Sequence, residues 1–384
     1  MKILFLDQSG KPGGAELCLI DIAKPYRDSC LVGLFADGAF RQLLEQQDIP
    51  VEVLATTPIQ VRKESSVVQG LSSVGSLLPL IAKVVQTARD YDLIYANTQK
   101  ALVVGALASL LSRRPLVYHL HDILSPDHFS RTNRAIAVTL ANTTAKLVIA
   151  NSQASQAAFV EAGGRSHLTQ VVYNGFDPEL YRTDESIRTT LRQQLGLDGR
   201  FIVGHFSRLS PWKGQHILIE ALTHCPEDVT AILVGEALFG EQEYAQSLHE
   251  QVTKLGLEKR VRFLGFRSQI VQLMSACDVV AHTSTAPEPF GRVVVEAMLC
   301  GRPAIAAKAG GVVELVEHGR TGWLVPAGEP TLLAEAIANC KDRPDVTATI
   351  AHQARDTASQ RFHLHAINQQ IAQLLEPIAL GKID

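Results

Sequence analysis

Residues 278–298 read DVVAHTSTAPEPFGRVVVEAM, and the order of pieces in this stretch decides the fold. Asp278 opens an apolar run to Ala281 that suits a buried strand. A polar loop with Pro287 and Pro289 follows, and Gly291 then leads into Arg292-Val293-Val294-Val295-Glu296-Ala297-Met298, which suits a helix. Strand, loop and helix in that order make the repeating unit of a parallel α/β sheet. The first helical turn, at Gly291, Arg292 and Val293, offers N–H groups without helical partners and the positive end of the helix dipole to an anion. Glu288 stands before that turn, and Glu296 lies about one and a half turns into the helix. Carboxylates bind phosphate poorly and hydroxyls well, so a helix start flanked by two of them suits a ligand carrying both groups, as a nucleotide sugar does. On this reading Glu296 takes a ribose diol and Glu288 reaches sugar hydroxyls. The plain alternative, a solvated helix acid and an ordinary loop acid, leaves the order of the pieces unexplained.

Outward from this stretch the same alternation repeats along the chain. Strands are expected at 3–6, 31–35, 51–54, 93–95, 116–119 and 147–150, and a second series at 201–206, 231–234, 261–263, 279–281 and 304–306, with helices between most of them. Two doubly wound sheets in tandem fit this better than one. The expected division is a first domain at 1–175, a connection at 176–199, a second domain at 200–362, and a closing helix at 363–384 that crosses back to the first. Ligands sit off the carboxyl ends of the strands in such sheets, so two facing domains make a cleft and informative residues should follow strands.

Composition bounds the rest. The 384 residues are 46% hydrophobic and 20% charged, enough for a sizeable core. A net charge of −3 with scattered cations gives no case for nucleic acid. Six cysteines stand far apart with no CxxC pair, as expected of thiols in a reducing cytosol. The N-terminus lacks the apolar region of a secretory signal, and the longest nearly uncharged run, 101–112, is too short to span a bilayer, so a cytoplasmic protein is expected. The polar stretch 56–74 reads as a surface loop. A second reading has Arg62 and Lys63, with the amphipathic 77–88 helix behind them, meeting the acceptor or the inner face of an anionic membrane.

Four further strand ends carry candidate chemistry. After the first strand, Gly13 and Gly14 open a helix and let backbone approach a ligand closely. The loop is neither a P-loop nor GxGxxG, which disfavours a dinucleotide cofactor. His119-Leu120-His121-Asp122 ends another strand; HxHD lacks further metal ligands at useful spacing, so no metal is assigned, and His121 is expected to face the cleft and hydrogen-bond the transferred sugar. In GHFSRLSPWKG, 204–214, Arg208 offers a planar fork and Lys213 a mobile point charge at one strand tip, a complementary pair for a diphosphate. In FLGFR, 263–267, backbone groups of Phe266 and Arg267 can line a flat pocket for a nucleobase.

Taken together, Gly13-Gly14, His121-Asp122, Arg208 with Lys213-Gly214, Phe263 to Phe266, the Glu288/Glu296 pair and the tail Ala309-Gly310-Gly311, Glu314, Thr321-Gly322 resemble the retaining glycosyltransferases of family 4, glycosyl transferases group 1, over essentially the whole chain. The resemblance implies the GT-B fold, two Rossmann-like domains facing a cleft. It implies a nucleoside diphosphate sugar donor, by default UDP-glucose, held without a metal or other cofactor. Arg208 and Lys213 would bind its diphosphate, Glu296 its ribose, and Phe266 and Arg267 its base. Glu288 and the backbone of Phe290, Gly291, Arg292 and Val293 would hold the sugar. The Gly13-Gly14 loop would meet the phosphates, and His121 would touch the sugar. His121, Arg208, Lys213 and Glu288 are then the catalytic candidates, and a saccharide or lipid-linked saccharide is the acceptor. A nucleotide-sugar epimerase or phosphorylase of the same fold, and a nucleotide-sugar-binding protein without turnover, are the other readings.

Overall fold

The computed structural model describes residues 1–55, 67–182, 184–238 and 240–382. The chain forms two compact units, Met1–Gly175 with Leu364–Asp384, and Phe176–His363.

The first unit alternates β1 (Ile3–Asp7), α1 (Gly14–Ala23), β2 (Cys30–Leu34), α2 (Ala39–Glu45), β3 (Val51–Val53), α3 (Val67–Ala88), β4 (Leu93–Ala96), α4 (Gln99–Ser112), β5 (Leu116–Leu120), α5 (Arg131–Thr144), β6 (Ala145–Ala150), α6 (Gln153–Glu161) and β7 (Thr169–Val171). Among the described residues its sheet has the order β3-β2-β1-β4-β5-β6-β7, all pairings parallel. Successive strand residues point to opposite faces. Leu4 and Leu6 accordingly join one core with Val84, Leu102 and Leu120, while Ile3 and Phe5 join another with Leu19 and Leu34. Helices cover both faces, which is why β1 is an unbroken apolar run rather than an alternating one. The last helix of the chain, Leu364–Ala379, belongs to this unit: Ile367, Ile371, Leu375 and Ile378 recur at helical spacing and enter the core that holds Ile3 and Phe5.

The second unit runs α7 (Glu185–Gln194), β8 (Phe201–Phe206), α8 (Gln215–Ala221), β9 (Val229–Val234), α9 (Gln242–Lys254), β10 (Val261–Gly265), α10 (Ile270–Ala276), β11 (Val279–His282), α11 (Arg292–Leu299), β12 (Ala304–Ala307), β13 (Gly322–Val325), α12 (Pro330–Asp342) and α13 (Pro344–Arg361). Its sheet order, β10-β9-β8-β11-β12-β13, repeats that of strands β1 to β6 of the first unit. Val229, Ala231 and Leu233 of β9 pack on one face with Leu218 and Leu248, and Ile232 and Val234 on the other with Leu273 and Met274. In both sheets the order reverses beside the first strand, between β1 and β4 and between β8 and β11. At such a switch point the loops leaving the two strands diverge to opposite faces and open a crevice at the carboxyl ends.

Several details depart from the sequence reading. A short strand, β7 (Thr169–Val171), lies where no strand was expected. The helix expected at 77–88 starts at Val67, and Arg62 and Lys63 lie outside the described residues. The stretch 176–199, expected as a connection, carries α7 within the second unit. Its Arg188 and Arg192 both pair with Asp278 at the foot of β11, Arg188 at 2.8 Å, and that carboxylate also accepts the Ile202 N–H at 2.7 Å.

Candidate functional site

The β8/β11 switch point gathers a cation and a carboxylate. Beyond β8 come Ser207 and Arg208, then a tight turn, Pro211–Lys213, and Gly214, whose φ is +71°. A Cβ on Gly214 would lie 1.9 Å from the Thr283 carbonyl oxygen just past β11, so only glycine lets the two loops touch. Thr283 Oγ1 then lies 3.0 and 2.8 Å from the Lys213 and Gly214 carbonyls, and His205 Nε2 donates to the Lys213 carbonyl at 3.2 Å. Burial pushes His205 down to about 3, so this ring is neutral at neutral pH.

The loop so held aims Lys213 at Glu288. Lys213 Nζ pairs with Glu288 Oε1 and lies 4.0 Å from the Trp212 ring centroid. Ser284 Oγ donates to the same carboxylate oxygen at 3.0 Å, and His282 Nε2 lies 3.3 Å from it. Burial acts to raise the Glu288 carboxyl, but the Lys213 ammonium and His282 outweigh it and hold it well below the usual carboxylate range. Its main chain is held from the other side. Gly311 donates to the Glu288 carbonyl at 2.7 Å, and Gly310, at φ +64°, passes so close that a Cβ there would lie 2.3 Å from that oxygen. Arg208 Nη1 is 3.4 Å from Glu241 Oε2, and Ser210 Oγ is 2.5 Å from the other oxygen of Glu241. Sequence reasoning finds Arg208, Lys213 and Glu288 and misses His282, Ser284 and Glu241. Of these, only His282 carried a signal, a polar residue ending an apolar strand.

The remaining candidates of this unit are placed unevenly. Gly291 precedes α11 with no side-chain cap on the helix start. Glu296, one turn inside α11, has Oε1 3.6 Å from Arg292 Nε; burial raises its carboxyl and Arg292 offsets part of that. The Arg292 guanidinium also lies 4.5 Å over the Phe176 ring. Phe290 is buried, stacked on Phe176 and edge-on to Phe362, so it offers a ligand backbone rather than ring. Val293 is half-buried, and Phe266 and Arg267 are exposed just past the edge strand β10.

At the β1/β4 switch point of the first unit, Asn97 donates Nδ2 to Asp7 Oδ2 at 2.7 Å and to the Ala15 carbonyl at 3.2 Å. Its Oδ1 therefore faces His121 Nε2 at 2.9 Å, and because that oxygen only accepts, His121 carries a proton on Nε2. Gly13 and Gly14 are exposed at the start of α1. The Glu16 carboxylate nevertheless lies over Gly13, its Oε2 2.7 Å from where a Cβ on that glycine would stand, so the protein's own acid occupies the helix start that the sequence reading gives to phosphate. Burial raises Asp7 to about 6; burial first and the neighbouring Asp7 next raise Glu16 to about 7. Sequence reasoning assigns no role to either acid. One triplet, Asp90-Tyr91-Asp92, has DxD spacing, but it enters β4 at the amino end of the strands, where Asp92 accepts the Lys2 N–H at 2.7 Å.

A pH dependence follows from the raised acids. The folded first unit holds protons on Asp7 and Glu16 that the unfolded chain has released, so stability should fall as pH rises from about 4 to 7. Glu16→Gln is expected to flatten this slope by about 1–3 kcal/mol between pH 5 and 8. The depressed Glu288 works in the opposite sense only at lower pH. Urea unfolding of both proteins at the two pH values checks it; parallel slopes would remove Glu16 from the account.

Two parallel sheets of this order define the GT-B class of glycosyltransferase architecture. Residues 12–180 match the family model Glycosyltransferase Family 4, and residues 187–357 match that of Glycosyl transferases group 1. A crystal structure of HepE from Anabaena in complex with UDP and glucose superposes with a TM-score of 0.92 at 68% identity, covering 98% of this chain and 99% of that one. A second HepE structure, in complex with UDP-glucose, has a TM-score of 0.91 at 67% identity, covering 98% and 99%. The D-inositol 3-phosphate glycosyltransferase of Corynebacterium efficiens is 28% identical over 312 residues, 77% of this chain and 73% of that one. The chain belongs to glycosyltransferase family 4.

Proposed function

We propose that this chain transfers glucose from UDP-glucose, with retention of configuration and without a metal, to a saccharide or lipid-linked saccharide in polysaccharide or glycoconjugate synthesis. The observation that carries the reading is the Lys213–Glu288 pair at the β8/β11 switch point, a cation for a diphosphate beside a carboxylate for sugar hydroxyls. HepE, similar over nearly its whole length, supports UDP-glucose as the donor.

In this reading Lys213 and Arg208 take the diphosphate and stabilise the charge that builds as the bond from C1 to the phosphate oxygen breaks. Each well-aimed donor contributes roughly 3 kcal/mol to such a step. The acceptor oxygen bonds C1 on the same face, and its proton passes to the departing phosphate oxygen. No protein nucleophile is needed, and Glu288, held as an anion, serves the sugar hydroxyls rather than attacking.

The lipid-linked part has its own support. Among the described residues no helix is long and apolar enough to cross a membrane. The first unit does expose Leu78, Leu107, Leu110 and Leu111 on α3 and α4, and Leu78, Leu111 and Arg89 line one cavity of about 630 Å³. Apolar side chains with a cation beside them suit the inner face of an anionic bilayer.

The test is turnover of UDP-glucose against a panel of other nucleotide sugars, with and without saccharide acceptors and with a chelator throughout. The expected result is acceptor-dependent UDP release and an α-linked product by NMR. A β-linked product removes retention, loss of turnover with chelator removes metal independence, and an isomerised sugar nucleotide without acceptor makes the chain an epimerase. Cosedimentation with anionic phospholipid vesicles checks the membrane part, which fails if the protein stays in the supernatant.

A further inference from the structure

Cys18 on α1, His119 on β5 and His121 just beyond it bring three metal-ligating atoms within 4.8 Å of one another, the one such group among the described residues. The two histidine rings lie 3.9 Å apart, centroid to centroid. Cys18 and His119 are buried and His121 half-buried. The surroundings orient the rings as outer partners orient metal-bound histidines. Asn97 Oδ1 accepts the Nε2–H of His121, which leaves the lone pair of the neutral ring on Nδ1. Tyr95 OH lies 2.7 Å from His119 Nδ1, while His119 Nε2, fully enclosed, has no hydrogen-bond partner. A buried imidazole nitrogen without a partner is uncommon, because it forgoes solvation and gains nothing in return.

We propose that Cys18, His119 and His121 form a site for a thiophilic divalent cation such as Zn²⁺, and that filling it inhibits the enzyme. The Cys18 thiol, which bonds Asn174 Oδ1 at 3.4 Å, would release its proton and bind as thiolate. His119 would bind through Nε2 and His121 through Nδ1, with water at the fourth position. His121 is then no longer available to the donor sugar. The inhibitory half rests on the proposed glycosyl transfer and on the expectation from the sequence that His121 contacts the donor sugar; the binding half does not.

The two halves are tested apart. Co²⁺ is titrated into the full chain without nucleotide sugar, and a thiolate-to-cobalt charge-transfer band is expected that is lost in Cys18→Ser. No band, or an undiminished band in the variant, overturns the site. Cys18→Ala, which keeps the apolar packing, replaces the serine variant if that one does not fold. Zn²⁺ inhibition is then measured relative to each protein's own zinc-free rate of UDP-glucose turnover. The half-inhibitory concentration is expected to rise by more than about tenfold in the variant, since loss of even an outer partner costs that much. An unchanged value, or no inhibition of the wild type, overturns the inhibitory half. A zinc-free wild type that does not turn over UDP-glucose points instead to a failure of the proposed function.

Discussion

Lys213→Ala is expected to lower kcat for transfer from UDP-glucose by about 10²–10³, the usual cost of removing one well-aimed donor from a developing anion. The same change should also weaken the fold. Lys213 and Glu288 side chains are 18% and 8% exposed, so the lysine's removal leaves an enclosed carboxylate with His282 and Ser284 beside it and no cation in place of the ammonium. Breaking a buried pair from one side costs roughly 3–5 kcal/mol. The two losses separate in Lys213→Met/Glu288→Gln, where both charges are gone. That variant should recover most of the stability, because a neutral pair pays no desolvation penalty, while turnover stays low.

The pH behaviour follows with a definite sign. In the wild type, Glu288 is depressed below its ordinary value of 4.5, so its contribution is full above that pH and is lost as pH falls below it. In Lys213→Ala the largest opposing influence is gone and burial pushes the carboxyl up, so stability should rise on acidification more steeply than Asp7 and Glu16 alone make it rise in the wild type. Urea unfolding of both proteins at pH 3, 5 and 8, with kcat measured beside it at pH 8, tests both points. Near-normal turnover in the single variant, or turnover restored in the double one, would show that Lys213 does not stabilise the leaving group.

How much of this was legible follows from distance along the chain. Arg208, Lys213 and Glu288 each sit in a local pattern of strand, turn residue and helix start, and such patterns are written in consecutive residues. The partners that set their charge and aim are not. Glu241 meets Arg208 from the start of α9, and Gly310 braces Glu288 from the loop after β12. The cluster of Asp7, Asn97 and His121 comes from three separate strand ends; the HxHD pattern marks His121, but no neighbour marks Asp7 or Asn97 as its partners. Fold elements divide the same way. β1 and β9 announce themselves as enclosed apolar runs, whereas β7 is three residues at a sheet edge, Thr169-Gln170-Val171, with little apolar content to read. Helix α7 is polar but for Ile187 and Leu191, and besides the packing of Leu191 on the core it is tied down by Arg188 and Arg192 reaching Asp278. A sequence window around 185–194 holds no sign of that carboxylate.

Gly214→Ala should be the most damaging single-methyl change at this site. Two costs add there, and a control separates them. A positive φ alone costs an L-residue roughly 1–2 kcal/mol. Gly256→Ala, at φ +66° with nothing within 4 Å of a new Cβ, should show only that cost and full turnover. At Gly214 the methyl would also fall 1.9 Å from the Thr283 carbonyl oxygen and 2.9 Å from its carbon. Both are backbone atoms at the end of β11, so no side chain can rotate away and the loops must part. Parting them breaks the Thr283 hydroxyl contacts to the Lys213 and Gly214 carbonyls and the His205 bond to the first of them. The expected loss is more than about 3 kcal/mol, as for other steric changes in enclosed positions. Because Lys213 is the neighbouring residue, its ammonium moves with the loop, and a shift of about 1 Å at a catalytic group can cost on the order of 10² in rate. Measured side by side, Gly214→Ala should therefore lose stability and kcat together while Gly256→Ala loses a little stability alone. Equal stability losses with full turnover in both would mean that the Gly214–Thr283 contact is not what aims Lys213.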